Sequence, residues 1–277
     1  MVTASDPLVD PLVDTELERR AFDMTSEGFS LWRAATLLPR VEGREPKNIE
    51  GEIDRLAEQV RERVRHAGPV VALHDVVFAT AGFVGDTEEY DHPRNSFIDD
   101  VVHRRRGLPI SLSLVLTEIA GRAGIKAWGL ALPGHFLAAI FVDDARFTVV
   151  DAFHAGRLLP LEEIARRVGV PDSEIGELLQ PAPPQNVLLR MLTNLRGSYV
   201  RRHQYEPLCR VLSRMLLLRR RDPLLLLERA EVRRLLLDDE GARDDVAEAR
   251  GAAGEDEDIG RAADYLEELL DRAQVVN

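Results

Sequence analysis

The stretch Arg104-Arg105-Arg106-Gly107-Leu108-Pro109-Ile110-Ser111-Leu112-Ser113 opens the most apolar helical run of the chain, from Pro109 to Ala123. Proline is tolerated in the first turn of a helix, where its missing N–H has no partner to lose. Gly124 stands where a left-handed residue ends a helix. Three strand-like runs follow: Lys126 to Leu132, Phe136 to Val142 and Arg146 to Asp151. Pro133-Gly134-His135 and Asp143-Asp144-Ala145 separate them, connections short enough to predict hairpins. An apolar helix followed by an antiparallel meander is an α+β arrangement.

Working outward, Asn48 to His66 carries Ile53, Leu56, Val60 and Val64 at spacings of three and four, the pattern of a helix with one buried face. Leu73 to Phe83 reads as a further helix ending at Gly82, and Gly85 to Pro93 as a loop. Helical periodicity starts near Glu16, and the residues before it, with their repeated Asp-Pro-Leu-Val-Asp, read as a flexible tail. Towards the C-terminus, Gln180-Pro181-Ala182-Pro183-Pro184 reads as an interdomain linker. It divides a core over 16–180 from a helical domain over 184–275. Five helices are expected in the latter: Asn186–Arg202, Glu206–Arg219, Pro223–Leu236, Glu240–Ala249 and Asp258–Ala273, in a tetratricopeptide-like arrangement of pairs.

The chain has 277 residues, of which 45% are hydrophobic and 30% charged, enough apolar material to exclude disorder for most of its length. A net charge of -12 argues against nucleic acid or an anionic membrane as a partner. One cysteine, Cys209, excludes an internal disulfide framework and a thiolate-rich zinc site, and it reads as a small buried hydrophobe. No secretory signal and no membrane-spanning apolar run is visible, so a cytoplasmic protein is expected. Charge is unevenly placed: residues 196–234 hold 11 Arg and 4 acidic residues, whereas residues 238–277 hold 14 acidic residues and 4 Arg. Two solvated helix faces that complement each other explain this split. So does an arginine-lined groove for an acidic peptide.

Chemistry concentrates where the helix start, Pro133-Gly134-His135-Phe136 and Val150-Asp151 can meet. A hydroxyl or thiol in the first helical turn feels the positive end of the macrodipole, a histidine can serve as its base, and a carboxylate can fix the tautomer. Helix, strand, strand in the order nucleophile, His, Asp is the layout of papain-like and transglutaminase-like enzymes.

Asn95-Ser96, Arg104 through Leu112, Leu132-Pro133-Gly134-His135-Phe136-Leu137 and Leu189-Arg190-Met191-Leu192-Thr193-Asn194-Leu195 resemble the SirB-type branch of the transglutaminase-like superfamily. The resemblance covers roughly residues 20 to 270. It implies a helical N-terminal section, a papain/transglutaminase-like core of a helix on a small antiparallel sheet, and a C-terminal tetratricopeptide-like region. It carries the family's histidine onto His135 and its aspartate onto Asp151. The family's cysteine, at the opening of the helix, falls near Pro109, and Cys209 is far from it in sequence. The expectation is a non-catalytic protein that binds a peptide or protein partner, through the C-terminal helices, with no metal and no cofactor.

The alternative is an amide hydrolase or acyltransferase using Ser111 or Ser113 with His135 and Asp151. Ser111 is rotated about 200° around the helix axis from Pro109, and Ser113 returns to within roughly 40° of it, one turn deeper. Plainer roles stand beside each candidate. Ser111 and Ser113 can bond local carbonyls or cap the helix. His135 can tie its strand to Asp151, and Asp151 can cap a turn before Ala152-Phe153-His154. Asn95 and Ser96 read as a helix N-cap. Of the three arginines before the helix, one is expected to pair with Asp99 or Asp100 and one, Arg106, to meet an anionic ligand. Trp128 is a binding candidate, although alternating large residues on strands, here Trp128, Phe136 and Phe141, usually pack in a core. His74, His103 and His154 lack metal-ligand spacing.

Overall fold

A computed structural model describes residues 21–23, 29–171 and 175–275. The tail and the helical onset near Glu16 lie outside the described residues. These form a mostly helical α+β protein with a small antiparallel sheet, as the sequence implies. They divide into two compact units, one made of residues 35–39 and 45–191, the other of residues from 192 onward together with 40–44 and those before 35.

In order, α1 (Leu31–Thr36) and a 3-10 turn (Leu38–Glu42) precede α2 (Glu50–Ala67), whose Ile53, Leu56, Ala57 and Val60 are buried. That is the face its periodicity requires. Then α3 (Pro69–Leu73) runs on into a π-helical turn, His74–Thr80, and Gly82 leaves it at φ +76°. Two very short strands, β1 (Val84–Gly85) and β2 (Arg106–Gly107), pair in parallel on either side of α4 (Ile98–Arg104).

The apolar helix α5 (Pro109–Arg122) has an unbroken buried run from Ile110 to Leu116, and Gly124 follows it at φ +82°. Four antiparallel strands come next, paired in the order of the chain: β3 (Ala127–Leu132), β4 (His135–Phe141), β5 (Phe147–Asp151) and β6 (Arg157–Leu159). Leu132 pairs with His135, so the first hairpin turn is Pro133-Gly134 alone, with Gly134 at φ +70°. His135 is therefore the first residue of a strand and not part of the turn.

Period-two alternation sorts the sheet into two faces. Leu130, Leu132, Leu137, Ala139, Val149 and Leu159 form one core with Ile164 of α6 (Leu161–Val168) and Ile175 of α7 (Ile175–Leu178). On the opposite face, Ile140, Val150 and Leu158 meet Leu116 of α5 and Phe78 of the π-helical turn.

Five helices follow at the expected places: α8 (Pro184–Arg202), α9 (Tyr205–Leu218), α10 (Pro223–Leu235), α11 (Asp239–Ala253) and α12 (Glu257–Val275). Asp222 caps α10 through the Leu224 and Leu225 N–H groups, and Asp238 caps α11 through that of Gly241. Leu226, Ala230, Val246, Ala249, Ile259 and Ala263 build the core of α10 to α12. Within it Arg229 grips Asp245 through two bonds of 2.9 and 2.6 Å and also donates to Ser213 Oγ. Arg233 lies 3.1 Å from the same carboxylate. Further arginines of the basic stretch and its neighbours meet acidic partners, Arg196 with Glu228, Arg243 with Asp271 and Arg250 with Glu267. Across the charge split, Arg229 and Arg233 meet Asp245, and the other pairs lie within one stretch or the other. Cys209 is buried, as a small hydrophobe would be.

Candidate functional site

A polar lock holds the opening of α5. Arg104, in the last turn of α4, donates to Asp86 Oδ2 at 2.5 Å and to Asn95 Oδ1 at 2.8 Å. Asn95 in turn donates its amide to the carbonyls of Glu89 and Tyr90. Its own carbonyl accepts from the N–H of Leu108, the residue that precedes α5. Asp86 accepts from the Glu89 N–H and donates its own N–H to the Gly107 carbonyl. Burial pushes the Asp86 carboxyl up, but the Glu89 N–H and the Arg104 guanidinium outweigh it and hold the pKa below the ordinary value.

These contacts correct several expectations. Asn95 is no N-cap: that position in α4 belongs to Phe97, and Asn95 is a fully buried strut between two loops and an arginine. Within the arginine run it is Arg104 that enters the site. Arg106 is exposed, and its side chain makes no hydrogen bond or ion pair among the described residues. Arg105 pairs with Glu52 and lies over the Phe83 ring. Asp99 accepts the Lys47 and Asp100 N–H groups, and Asp100 pairs with the Lys47 ammonium. The acids nearest in sequence are thus already engaged elsewhere, and the arginines reach partners 18 and 53 residues away.

His135 and Asp151, which the sequence allowed to pair between strands, share no hydrogen bond. Asp151 Oδ1 accepts from the Phe153 and His154 N–H groups, and its Oδ2 lies 2.8 Å from His154 Nδ1. It caps the turn after β5, the plainer of its two roles, and adds an imidazole three residues on. The His135 imidazole is half-buried and makes no hydrogen bond or ion pair among the described residues; its carbonyl accepts from Arg190.

Strand alternation supplies a reason. His135 and Asp151 share the parity of Leu137 and Val149, which face α6, whereas α5 packs against the parity of Ile140 and Val150. Pro109 occupies the first turn of α5. Ser111 and Ser113 are both 0% exposed, and neither Oγ has a hydrogen-bond partner. They therefore neither contact an imidazole nor bond a carbonyl, and the cap position is Leu108. Trp128 meets the Phe141 ring at 4.5 Å between centroids, tilted by 54°, beneath the Lys126 ammonium, at the edge of the core on the α6 face. That is a packing role, away from α5.

Four residues that the sequence did not offer as site candidates, His154, Phe153, Tyr90 and Arg190, lie about the turn after β5 and the β3–β4 hairpin. His154 projects an imidazole that is 61% exposed while Asp151, 5% exposed, fixes its Nδ1 side. Phe153 packs on Tyr90 and on the His154 ring, at 5.8 and 5.3 Å. Its ring lies so close to Gly85 that a Cβ there would sit 2.4 Å away. Arg190, on α8, donates to the Leu132 and His135 carbonyls and lies over the Phe136 ring. The Asp-x-x-His spacing was a readable signal for the first of these. No local pattern marks Asp86 or Tyr90.

A family profile described as the transglutaminase-like superfamily matches residues 47–193. The chain belongs to the transglutaminase-like superfamily. The matched span includes the lock, α5, all four strands of the sheet and Arg190. This transglutaminase-like chain is 34% identical over 205 residues to a UPF0162 protein of Xylella fastidiosa, an alignment that covers 72% of this chain and 73% of that one. It is 30% identical over 173 residues to a UPF0162 protein of Pseudomonas aeruginosa, covering 60% and 62% respectively. A human protein named F-box only protein 21 is 28% identical over 131 residues, which are 45% of this chain and 20% of that one. No solved structure matches. Among the described residues, no group of three or more His, Cys, Asp or Glu is placed to hold a metal ion, and no helix is long and apolar enough to cross a membrane.

Proposed function

We propose that this chain is a transglutaminase-like protein of the SirB-type branch that lacks the thiol of active members and binds a peptide or protein without transforming it. One observation carries the reading: the opening of α5, where a nucleophile would feel the helix dipole, holds Pro109, and no serine of that helix reaches an imidazole. A serine hydrolase would need Ser111 or Ser113 within hydrogen-bond reach of His135. Both hydroxyls are instead sealed in the core, which favours binding over catalysis. Asp151 is committed to the turn and to His154, so His135 has no orienting carboxylate. The C-terminal helices, read as tetratricopeptide-like pairs, offer the surface for a protein partner.

The test pans a displayed random-peptide library against the full chain and follows each bound peptide by mass spectrometry. Saturable binding with every recovered peptide chemically intact is the expected result. Cleavage or deamidation of a bound peptide that disappears in His135→Ala would overturn the proposal.

A further inference from the structure

Around the sheet and in the helical core, several arginines among the described residues are neutralised. Arg104 pairs with Asp86, Arg122 with Glu50, Asp54 and Glu118, and Arg229 with Asp245. Arg190 is the exception among those around the sheet. Its Nη1 donates at 3.2 Å to the Leu132 carbonyl and at 3.1 Å to that of His135, the paired residues on either side of the Pro133-Gly134 turn. Its guanidinium centre lies 5.6 Å from the Phe136 ring centroid. Two carbonyls and a ring thus fix the fork, but no carboxylate of the described residues lies within ion-pair distance. Nε and Nη2 make no hydrogen bond and are not among the polar atoms sealed from solvent. Burial holds the Arg190 pKa below the ordinary arginine value, and the Tyr90 phenol works weakly in the opposite direction. A fixed, desolvated guanidinium with two outward donors and no counter-charge matches a carboxylate, which can accept two parallel N–H bonds.

We propose that Arg190 is a subsite for the carboxylate of a peptide ligand, bound by its Nε and Nη2 donors at the β3–β4 hairpin. This rests on the peptide-binding reading above and names the group that the site takes.

The experiment follows the arginine Nε–Hε resonances of the full chain by NMR. The probes are glutarate, N-acetylglutamate α-amide (a side-chain carboxylate), N-acetylglycine (a terminal carboxylate) and inorganic phosphate. Arg190→Lys assigns the resonance. The expected result is a saturable shift of that one resonance with glutarate in the wild type, and, read from the Gly134 and His135 backbone amides in both proteins, binding about tenfold or more weaker in the lysine variant, which keeps charge but not the fork. The two acetylated probes then tell a side-chain from a terminal carboxylate. Should the lysine variant unfold through loss of its hairpin bonds, through-bond assignment of Arg190 in the wild type replaces it and the wild-type titration decides. No shift of the Arg190 resonance with any carboxylate, or tighter binding of phosphate than of all three, would overturn the subsite. A silent titration leaves the non-catalytic reading standing, because that reading is tested by conversion of a bound peptide and not by carboxylate binding.

Discussion

Replacing Arg104 by methionine keeps most of the stem volume and removes the guanidinium from the lock. The lost contacts are the 2.5 Å bond to Asp86 and the 2.8 Å bond to Asn95. What remains is a carboxylate 4% exposed and a carboxamide with no exposed surface. Breaking a buried pair by removing one partner costs about 3–5 kcal/mol, because the surviving charge stays desolvated. The cost is linked to pH. In the wild type the Asp86 pKa is depressed, so its interaction stabilises the fold above the ordinary value of 3.8 and is lost as pH falls through the depressed one. Without Arg104 the guanidinium no longer offsets burial, so Asp86 takes up its proton at a higher pH than in the wild type and sheds its charge earlier on acidification. The gap between variant and wild type is therefore widest at neutral pH and narrows towards pH 4. Urea unfolding at both pH values, with Asp86→Asn and the double variant completing a cycle, measures the gap and the coupling. A loss below about 1 kcal/mol at neutral pH, or one that does not change with pH, would refute the lock as described.

Three further outcomes follow from the same contacts. Asp245→Asn removes the charge that Arg229 and Arg233 share in the α10–α11 core and should lower stability by about 3–5 kcal/mol in a thermal or urea melt; a loss within the error of a surface substitution would contradict a buried network. Gly156→Ala combines φ +77° with a Cβ 2.2 Å from the Phe78 ring, so about 1–3 kcal/mol should be lost, and an unchanged midpoint would show the turn to be otherwise. Ser111→Ala deletes a buried hydroxyl that bonds nothing, so stability should hold or rise by about 1 kcal/mol. A clear loss on calorimetry would mean that the hydroxyl has a partner.

What could be read from the sequence divides by the range of the interactions involved. α5, β3 to β5 and the five C-terminal helices are long enough for their own periodicity and end signals to declare them. β6 has three residues and β1 and β2 two each, too few for any alternation to register, and the β1–β2 pair joins residues on either side of α4. The site was harder. Whether His135 belongs to the turn or to the strand is set by the Leu132–His135 register, and that one step decides which face it takes. Asp151 and His154 needed only the local Asp-x-x-His turn, which the sequence displays. Asp86, Asn95 and Arg104 meet only because β1 and β2 bring two loops together, a contact that no local pattern foretells. Arg190 stood inside a quoted motif, but its isolation from carboxylates is a property of the folded surroundings alone.

The central claim is that nothing at the opening of α5 is an activated nucleophile. Exposing the folded full chain to a fluorophosphonate and, separately, to a thiol alkylator, then mapping adducts by intact-mass and peptide mass spectrometry, tests it most directly. The account predicts no adduct on Ser111 or Ser113, and none on the buried Cys209 until the chain is unfolded. Stoichiometric labelling of either serine in the native protein, abolished by His135→Ala, would contradict it.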